Sequence, residues 1–312
     1  MNEFKLIHFL TRHLKKSKKE VICSIGDDTS VLQFNQKEYH LLTVDTLVEN
    51  IHFSLQWKIS KKKLFYMLGW KAMAVNVSDI LAMGGESLAG LVSLSIPPYI
   101  KLTCLDHLYQ GIGDFCKKYH INIVGGNITS NRHCLFIDIM LLGRTDKKRL
   151  FLRKNARVND FIYTQKDLGE SAAGMICIRK NIKDVELIHS HLMPSPFINW
   201  KKLEKYRIHA AIDISDGLLG DLSHILEQSG KGADIDINRV PLSKKVKALF
   251  PARGLSMALN GGEEYKILFT SPDEIKDKNL VTIGRITKKK GLRFFRGNKQ
   301  ITFKNKGFLH FK

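Results

Sequence analysis

Apolar and polar positions along the chain fall into two alternating textures. Short apolar runs, "EVICSIG", "YHLLTVDT", "LAGLVSLSI", "INIVGG" and "LFIDIMLLGR", have the length and composition of strands. Longer stretches with helical spacing separate them. Residues 60–83 predict the most buried helix: Ser60 can cap its start, Gly84 and Gly85 can end it, and "LFYMLGWKAMAVNVSDILAM" is apolar almost all round. A second helix is predicted from about 103 to 119, with Leu105, Leu108, Tyr109, Ile112, Phe115 and Cys116 on its inner side. After a basic stretch at 144–157 the alternation resumes. "DFIYTQ" reads as a strand, "GESAAGMICIRK" as a helix, "HAAIDIS" as a strand, and "GLLGDLSHILEQSG" as a helix closed by Gly230. "ADIDI", "YKILFTS", "LRFFRG" and "QITFK" read as later strands, and "HSHLMPSPFINW", with Pro194 and Pro196, as a loop.

Composition adds limits to this picture. A length of 312 residues exceeds what one core usually organises, so two domains are expected, 1–147 and 148–312, meeting in the basic stretch. The net charge of +20 invites a nucleic-acid or membrane reading, but the basic residues are spread over nearly every segment instead of gathering in one patch. Most of that charge reads as solvated surface, and neither nucleic acid nor membrane is expected as a partner. Cys23, Cys104, Cys116, Cys134 and Cys177 contain no C-x-x-C pair, which argues against a zinc site or a secreted disulfide framework. The first twenty residues have too short an apolar core for a signal peptide and read as an amphipathic helix. A cytoplasmic protein is the expectation.

The candidate chemistry lies in acids that follow apolar runs. "VICSIGDD" ends in Asp27 and Asp28, "HLLTVD" in Asp45, and "AAIDISD" carries Asp213 and Asp216, while Asp79 sits inside the apolar helix with Asn76 on the same face. An unpaired buried carboxylate is costly and needs a cation, a proton or a lysine partner. A single such Asp is more often a turn or cap residue, and Asp216 before Gly217 would suit the cap of the next helix. Repetition of the placement favours convergence in one crevice, and oxygen donors without His or Cys companions suit Mg²⁺. Acids in a basic chain, meeting a polyanion through metal, suggest phosphoryl transfer. No Walker-type loop or protein-kinase signature is present, so a nucleotide site would rest on metal bridges and backbone amides.

Six stretches, "IGDDTSVL", "TVDTLVENIHF", "KAMAVNVSDILAMGG", "IVGGNITS", "AAIDISDGLLGDLSHI" and "NGGEEYKILFT", resemble in order the motifs of the thiamine-monophosphate kinase family, within the aminoimidazole ribonucleotide synthetase-like superfamily. The resemblance implies a two-domain fold: an N-terminal α/β domain that dimerises through its sheet and a C-terminal α+β domain. It implies ATP- and Mg²⁺-dependent phosphorylation of thiamine monophosphate to thiamine diphosphate by a homodimer. By the same resemblance Asp28, Thr43, Val44, Asp45, Asp79, Asp213 and Asp216 surround metal ions, with Val44 offering only its carbonyl. Asp45, Asp79 and Asp216 are the members expected to matter most for catalysis. Tyr109, Gly126, Arg153 and Ser215 match positions that contact ATP, and His52, Glu263 and Phe308 match positions around the thiamine substrate. Without the resemblance, Phe308 reads as C-terminal core and His52 as a satisfied core histidine.

The sequence departs from the family pattern in two places. In "IVGGNITS", Asn127 stands where the family carries a metal-binding aspartate; it keeps one oxygen donor and loses a charge. In "GGEEYK", Glu264 replaces the usual Asp and Lys266 the usual Glu.

Overall fold

Alternating burial along its strands gives the chain two sheets, each faced by helices. The structure is a computed structural model that describes residues 3–12, 14 and 18–302. After helix α1 (Glu3–Thr11), the first sheet collects β1 (Val21–Cys23), β2 (Ser30–Leu32), β3 (Glu38–Val48), β4 (Glu86–Ile96), β5 (Asn122–Ser130) and β6 (Phe136–Asp146) in the order β1-β2-β3-β6-β4-β5. Neighbours are antiparallel except β4 and β5. Helices α2 (Lys61–Ala82) and α3 (Leu102–Tyr119) bury one face of it. Leu41 and Leu47 of β3, Ile137, Ile139 and Leu141 of β6, and Val92 and Leu94 of β4 all point into that core. The opposite face carries Val44, Met140 and Leu91, and Val44 is 63% exposed.

Helix α2 begins where the sequence indicates, with the Ser60 hydroxyl accepting from the Lys63 amide. Its buried residues run round the whole circumference because α3, the first sheet and the second half of the chain all pack on it. The α2–α3 contact is a backbone approach. A Cβ at Gly69 would lie 2.0 Å from the Leu108 carbonyl oxygen, and one at Gly111 would lie 1.9 Å from that of Tyr66.

Two short 3₁₀ turns, Lys147–Arg149 and Arg153–Asn155, lead to the second sheet. It holds β7 (Phe161–Gln165), β8 (Ala210–Asp213), β9 (Gly232–Asp236), β10 (Ile267–Ser271), β11 (Leu280–Thr287), β12 (Gly291–Arg296) and β13 (Lys299–Ile301), ordered β13-β12-β9-β11-β7-β10-β8. Only β9 and β12 are parallel. Around it lie α4 (Glu170–Lys180), α5 (Val185–Leu192), α6 (Trp200–Leu203), α7 (Leu218–Ser229), α8 (Lys244–Leu249) and α9 (Gly254–Asn260). Helix α2 docks on β8, β10 and α5. The Trp70 indole donates to the Pro194 carbonyl at 2.8 Å, and the Trp200 indole to the Leu81 carbonyl at 2.7 Å. Among the described residues no helix is long and apolar enough to cross a membrane.

Several sequence expectations need correction. β3 does not end at Asp45 but runs on to Val48, so Asp45 lies mid-strand, on the side facing α2. β5 does not turn at its glycines; it continues through Asn127 to Ser130 at the sheet edge, where a Cβ at Gly126 would meet the Val92 carbonyl oxygen at 1.9 Å. The stretch 189–192 is the end of α5, not loop: Asp184 caps that helix by accepting from the Leu187 amide, and the chain breaks only as Pro194 approaches. Tyr109 is 43% exposed and lies outside the α3 core face.

Candidate active site

The acids meet at the seam between α2 and β8, not at the carboxyl ends of a parallel sheet. Asp79 comes from the last turns of α2, Asp213 from the end of β8, and Asp28 from the turn between β1 and β2. One carboxylate oxygen from each lies within 4.8 Å of the others. Their surroundings fix them. Thr43 Oγ1 donates to Asp79 Oδ2 at 2.5 Å, Ser78 Oγ to Asp213 Oδ2 at 2.7 Å, and the Asp45 amide to Asn76 Oδ1 at 3.0 Å. Asn76 is itself held by the Ala72 carbonyl one helical turn back. The Asn76/Asp79 spacing read from the sequence therefore serves one purpose, locking β3 to α2 beneath the cluster.

The charges in this cluster do not balance within the protein. Arg153 donates to Asp28 Oδ1 at 2.6 Å and sits 3.6 Å from Asp27, leaving Asp79 and Asp213 with hydroxyl partners. Burial, reinforced by Asp45, Asp213 and Asp28, raises the Asp79 carboxyl well above the usual range. Burial and Asp28 do the same to Asp213. Burial raises Asp28 despite Arg153, and burial with the Asp28 charge pushes Asp27 up to about 7. One oxygen, Asp28 Oδ2, is buried without a hydrogen-bond partner. Converging hard oxygen donors with surplus negative charge and an orphaned atom fit a divalent cation of the Mg²⁺ type.

A neighbouring group, Asp216, Asp221 and His224, also brings its donor atoms within 4.8 Å of one another. Here the sequence expectation for Asp216 changes: α7 has Gly217 at its N-cap, and Asp221 is the residue that accepts from the Asp216 and Gly217 amides. Burial and the Arg153 charge lower His224 to about 4, so its imidazole is neutral at pH 7. Asp221 and His224 were not singled out by sequence; their i, i+3 spacing in "DLSH" is the signal that could have found them.

A cleft of about 710 Å³ runs from these acids to a second charged group. Its walls include Asp45, Ser215 and Asp216 together with His52, His191 and Glu263. Glu263 has φ 59° and Tyr265 φ 50°, left-handed values that cost a non-glycine residue about 1–3 kcal/mol each. Two backbone bonds impose them: Glu263 N to Ser215 O at 2.7 Å and Tyr265 N to Ile214 O at 2.9 Å. The Glu263 carboxylate lies 2.7 Å from Lys71 Nζ and 3.5 Å from His191 Nδ1. His52 accepts from the Val48 amide at 3.0 Å, which turns its ring along the cleft wall.

The structure thus gathers Asp28, Thr43, Val44, Asp45, Asp79, Arg153, Asp213, Ser215, Asp216, His52 and Glu263 around one cleft. It does not bring Tyr109, Gly126 or Asn127 there. Gly126 pairs with Val92, Val92 with Ile139, and Ile139 with Asp45, which puts Gly126 three strands, or about 14 Å, from Asp45. Phe308 lies outside the described residues. Lys266 turns from the cleft and pairs with Glu264 at 3.0 Å, so the two departures in "GGEEYK" meet each other. Glu264 in turn accepts from the Gly169 and Ser171 amides at the start of α4.

Known proteins resemble this chain over nearly its whole length. The AIR synthase related protein, N-terminal domain, matches residues 26–145, and the AIR synthase related protein, C-terminal domain, matches 157–295. The thiamine-monophosphate kinase of Buchnera aphidicola subsp. Acyrthosiphon pisum is 37% identical over 99% of this chain and 98% of its own length. The chain belongs to the thiamine-monophosphate kinase family. The thiamine-monophosphate kinase of Aquifex aeolicus is 33% identical, with 100% of this chain and 98% of that protein covered. A solved structure described as AaThiL complexed with AMPPCP and TMP superposes with a TM-score of 0.86 at 32% identity, covering 99% of this chain and 97% of the other. A HypE–HypF complex, at 14% identity and a TM-score of 0.73, shares the fold.

Proposed function

We propose that this chain transfers the γ-phosphoryl group of ATP to thiamine monophosphate, giving thiamine diphosphate and ADP. The observation that carries the proposal is the convergence of Asp28, Asp79 and Asp213 in a cleft of a chain that shares its full length with kinases of this name. The acceptor is a phosphate oxygen already ionised at neutral pH. It forms the new bond to the γ-phosphorus as the bond to the β,γ-bridging oxygen breaks in line, and no strong general base is needed. Asp28, Thr43, the Val44 carbonyl, Asp45, Asp79, Asn127, Asp213 and Asp216 would hold Mg²⁺. Bound there, the metal supplies the positive charge that lets two anionic phosphates approach.

Residues 1–147 and 148–312 form the two domains of this reading, with ATP between them. Arg153 and Ser215 face the nucleotide, and His52 and Glu263 face the thiamine, joined by Phe308. Tyr109, Gly126 and Asn127 join the site through a second copy. The face of the first sheet turned away from α2 aligns Asn127 with Ser93, Asp138 and Thr46 in one row. A two-fold partner packed sheet on sheet lays the Asn127 row of one copy against the same face of the other. β5 offers apolar surface to such a partner, with Val124 67% and Ile128 68% exposed. A coupled ADP-release assay tests the activity. Turnover is expected with ATP, Mg²⁺ and thiamine monophosphate, abolished by chelation. Turnover with formylglycinamidine ribonucleotide in its place would overturn the assignment.

A further inference from the structure

The strongest unexplained charge in the molecule is Lys71. It sits in the middle of α2 with 0% of its side chain exposed, where an isolated ammonium is very unfavourable. Among the described residues its ionic partner is Glu263, 2.7 Å away, and Nζ makes no regular hydrogen bond there. Glu263 faces the cleft, with its side chain 26% exposed. On its other side stands His191 of α5, wholly buried and itself 3.0 Å from Ser171 Oγ of α4. Burial first, then the Lys71 charge, lower His191 to about 3, so this histidine is a neutral dipole. Burial would raise Glu263, but the Lys71 ammonium beside it outweighs that and holds the carboxyl below its ordinary range. No metal-site acid is involved in this group.

We propose that Lys71 is the positioning residue of the substrate-ring end of the cleft. Its enclosed ammonium keeps Glu263 ionised and pins one carboxylate oxygen inward. The open edge of the same carboxylate is left as a hydrogen-bond acceptor for the ring. The pocket therefore selects a substrate ring that donates hydrogen bonds or carries positive charge, and excludes one that presents a carboxylate or an acceptor at that point. Because Lys71 has no exposed surface, it acts only through Glu263. The inference rests on the reading of Glu263 as a thiamine-side residue.

The test compares Lys71→Met, Lys71→Arg, Glu263→Gln and the Lys71→Met/Glu263→Gln double variant, using the Michaelis constants for thiamine monophosphate and for ATP. Lys71→Met is expected to raise KM for thiamine monophosphate by about tenfold or more while KM for ATP stays within about twofold. Lys71→Arg recovers part of the loss. The double variant is expected to match Glu263→Gln alone, since Lys71 has no further route to the substrate. Should Lys71→Met not fold, the double variant, which buries no unpaired charge, carries the comparison. An unchanged KM for thiamine monophosphate in folded Lys71→Met, equal rises in both constants, or a double variant worse than Glu263→Gln overturns the role of Lys71. A Glu263→Gln enzyme with normal KM overturns the reading of Glu263 instead.

Discussion

Asn127 contributes a neutral carbonyl at a position where the resembling motif has a carboxylate. Restoring the charge with Asn127→Asp should lower the Mg²⁺ concentration for half-maximal activity by roughly threefold to tenfold. Titrating Mg²⁺ against the rate in both forms checks this; identical curves would remove Asn127 from the metal site. The buried acids make an opposite pair of predictions for Asp79→Asn. Turnover should fall by about a hundredfold or more, while the metal-free protein should melt at a higher temperature, because a carboxylate held among Asp45, Asp213 and Asp28 is removed. The same acids set a pH dependence. Asp79, Asp213, Asp28 and Asp27 all have folded-state values raised above the unfolded ones, so the folded state binds more protons. Their stabilising contribution is complete below the ordinary carboxylate value of about 4 and is lost as pH climbs past 7, the region to which Asp27 is shifted. Melting of the metal-free protein should therefore fall from pH 5 to pH 8, and saturating Mg²⁺ should flatten that slope. Calorimetry at four pH values with and without Mg²⁺ measures it.

At the level of elements, α2 follows from local rules: a serine cap, an uninterrupted apolar interior and a glycine pair beyond the end. The sequence does not reveal why the glycine in "MLGWK" is there. Gly69 is a packing residue whose reason is α3, and the backbone it meets, at Leu108, lies far along the chain. Gly69→Ala should cost about 1–3 kcal/mol by forcing the two backbones apart; chemical denaturation of the variant gives the number. In helix α5 the Asp184 cap and the apolar spacing outweigh Pro194 and Pro196, which follow the helix instead of interrupting it. The sites were legible to different degrees for the same reason. Asp28, Asp79 and Asp213 stand out because charge inside apolar sequence is unusual at any single position. Lys71 and His191 do not stand out, since their meaning arises from Glu263, which is 192 and 72 residues away from them along the chain.

At the scale of the whole molecule, the proposed function involves two assemblies, one within the chain and one between chains. Within it, the Trp70 and Trp200 indoles tie α2 to the second half at its middle and at its C-terminal end. Between chains, the sheet face turned away from α2 and the β5 edge are the surface on which the proposed site closes. Ile128→Lys should convert a dimer to a monomer in light scattering and take most of the activity with it, while leaving far-ultraviolet circular dichroism unchanged. A monomer with full activity would show that Asn127 and Gly126 have no part in the reaction. Helix α2 also carries both ends of the cleft on one rigid axis. Lys71 and Asp79 are eight residues apart, which a helical rise converts to about 12 Å. The helix works as a gauge block: a substrate whose reactive phosphate is set nearer to or farther from its ring cannot seat both termini at once, and no side-chain rotation in α2 can shorten the span.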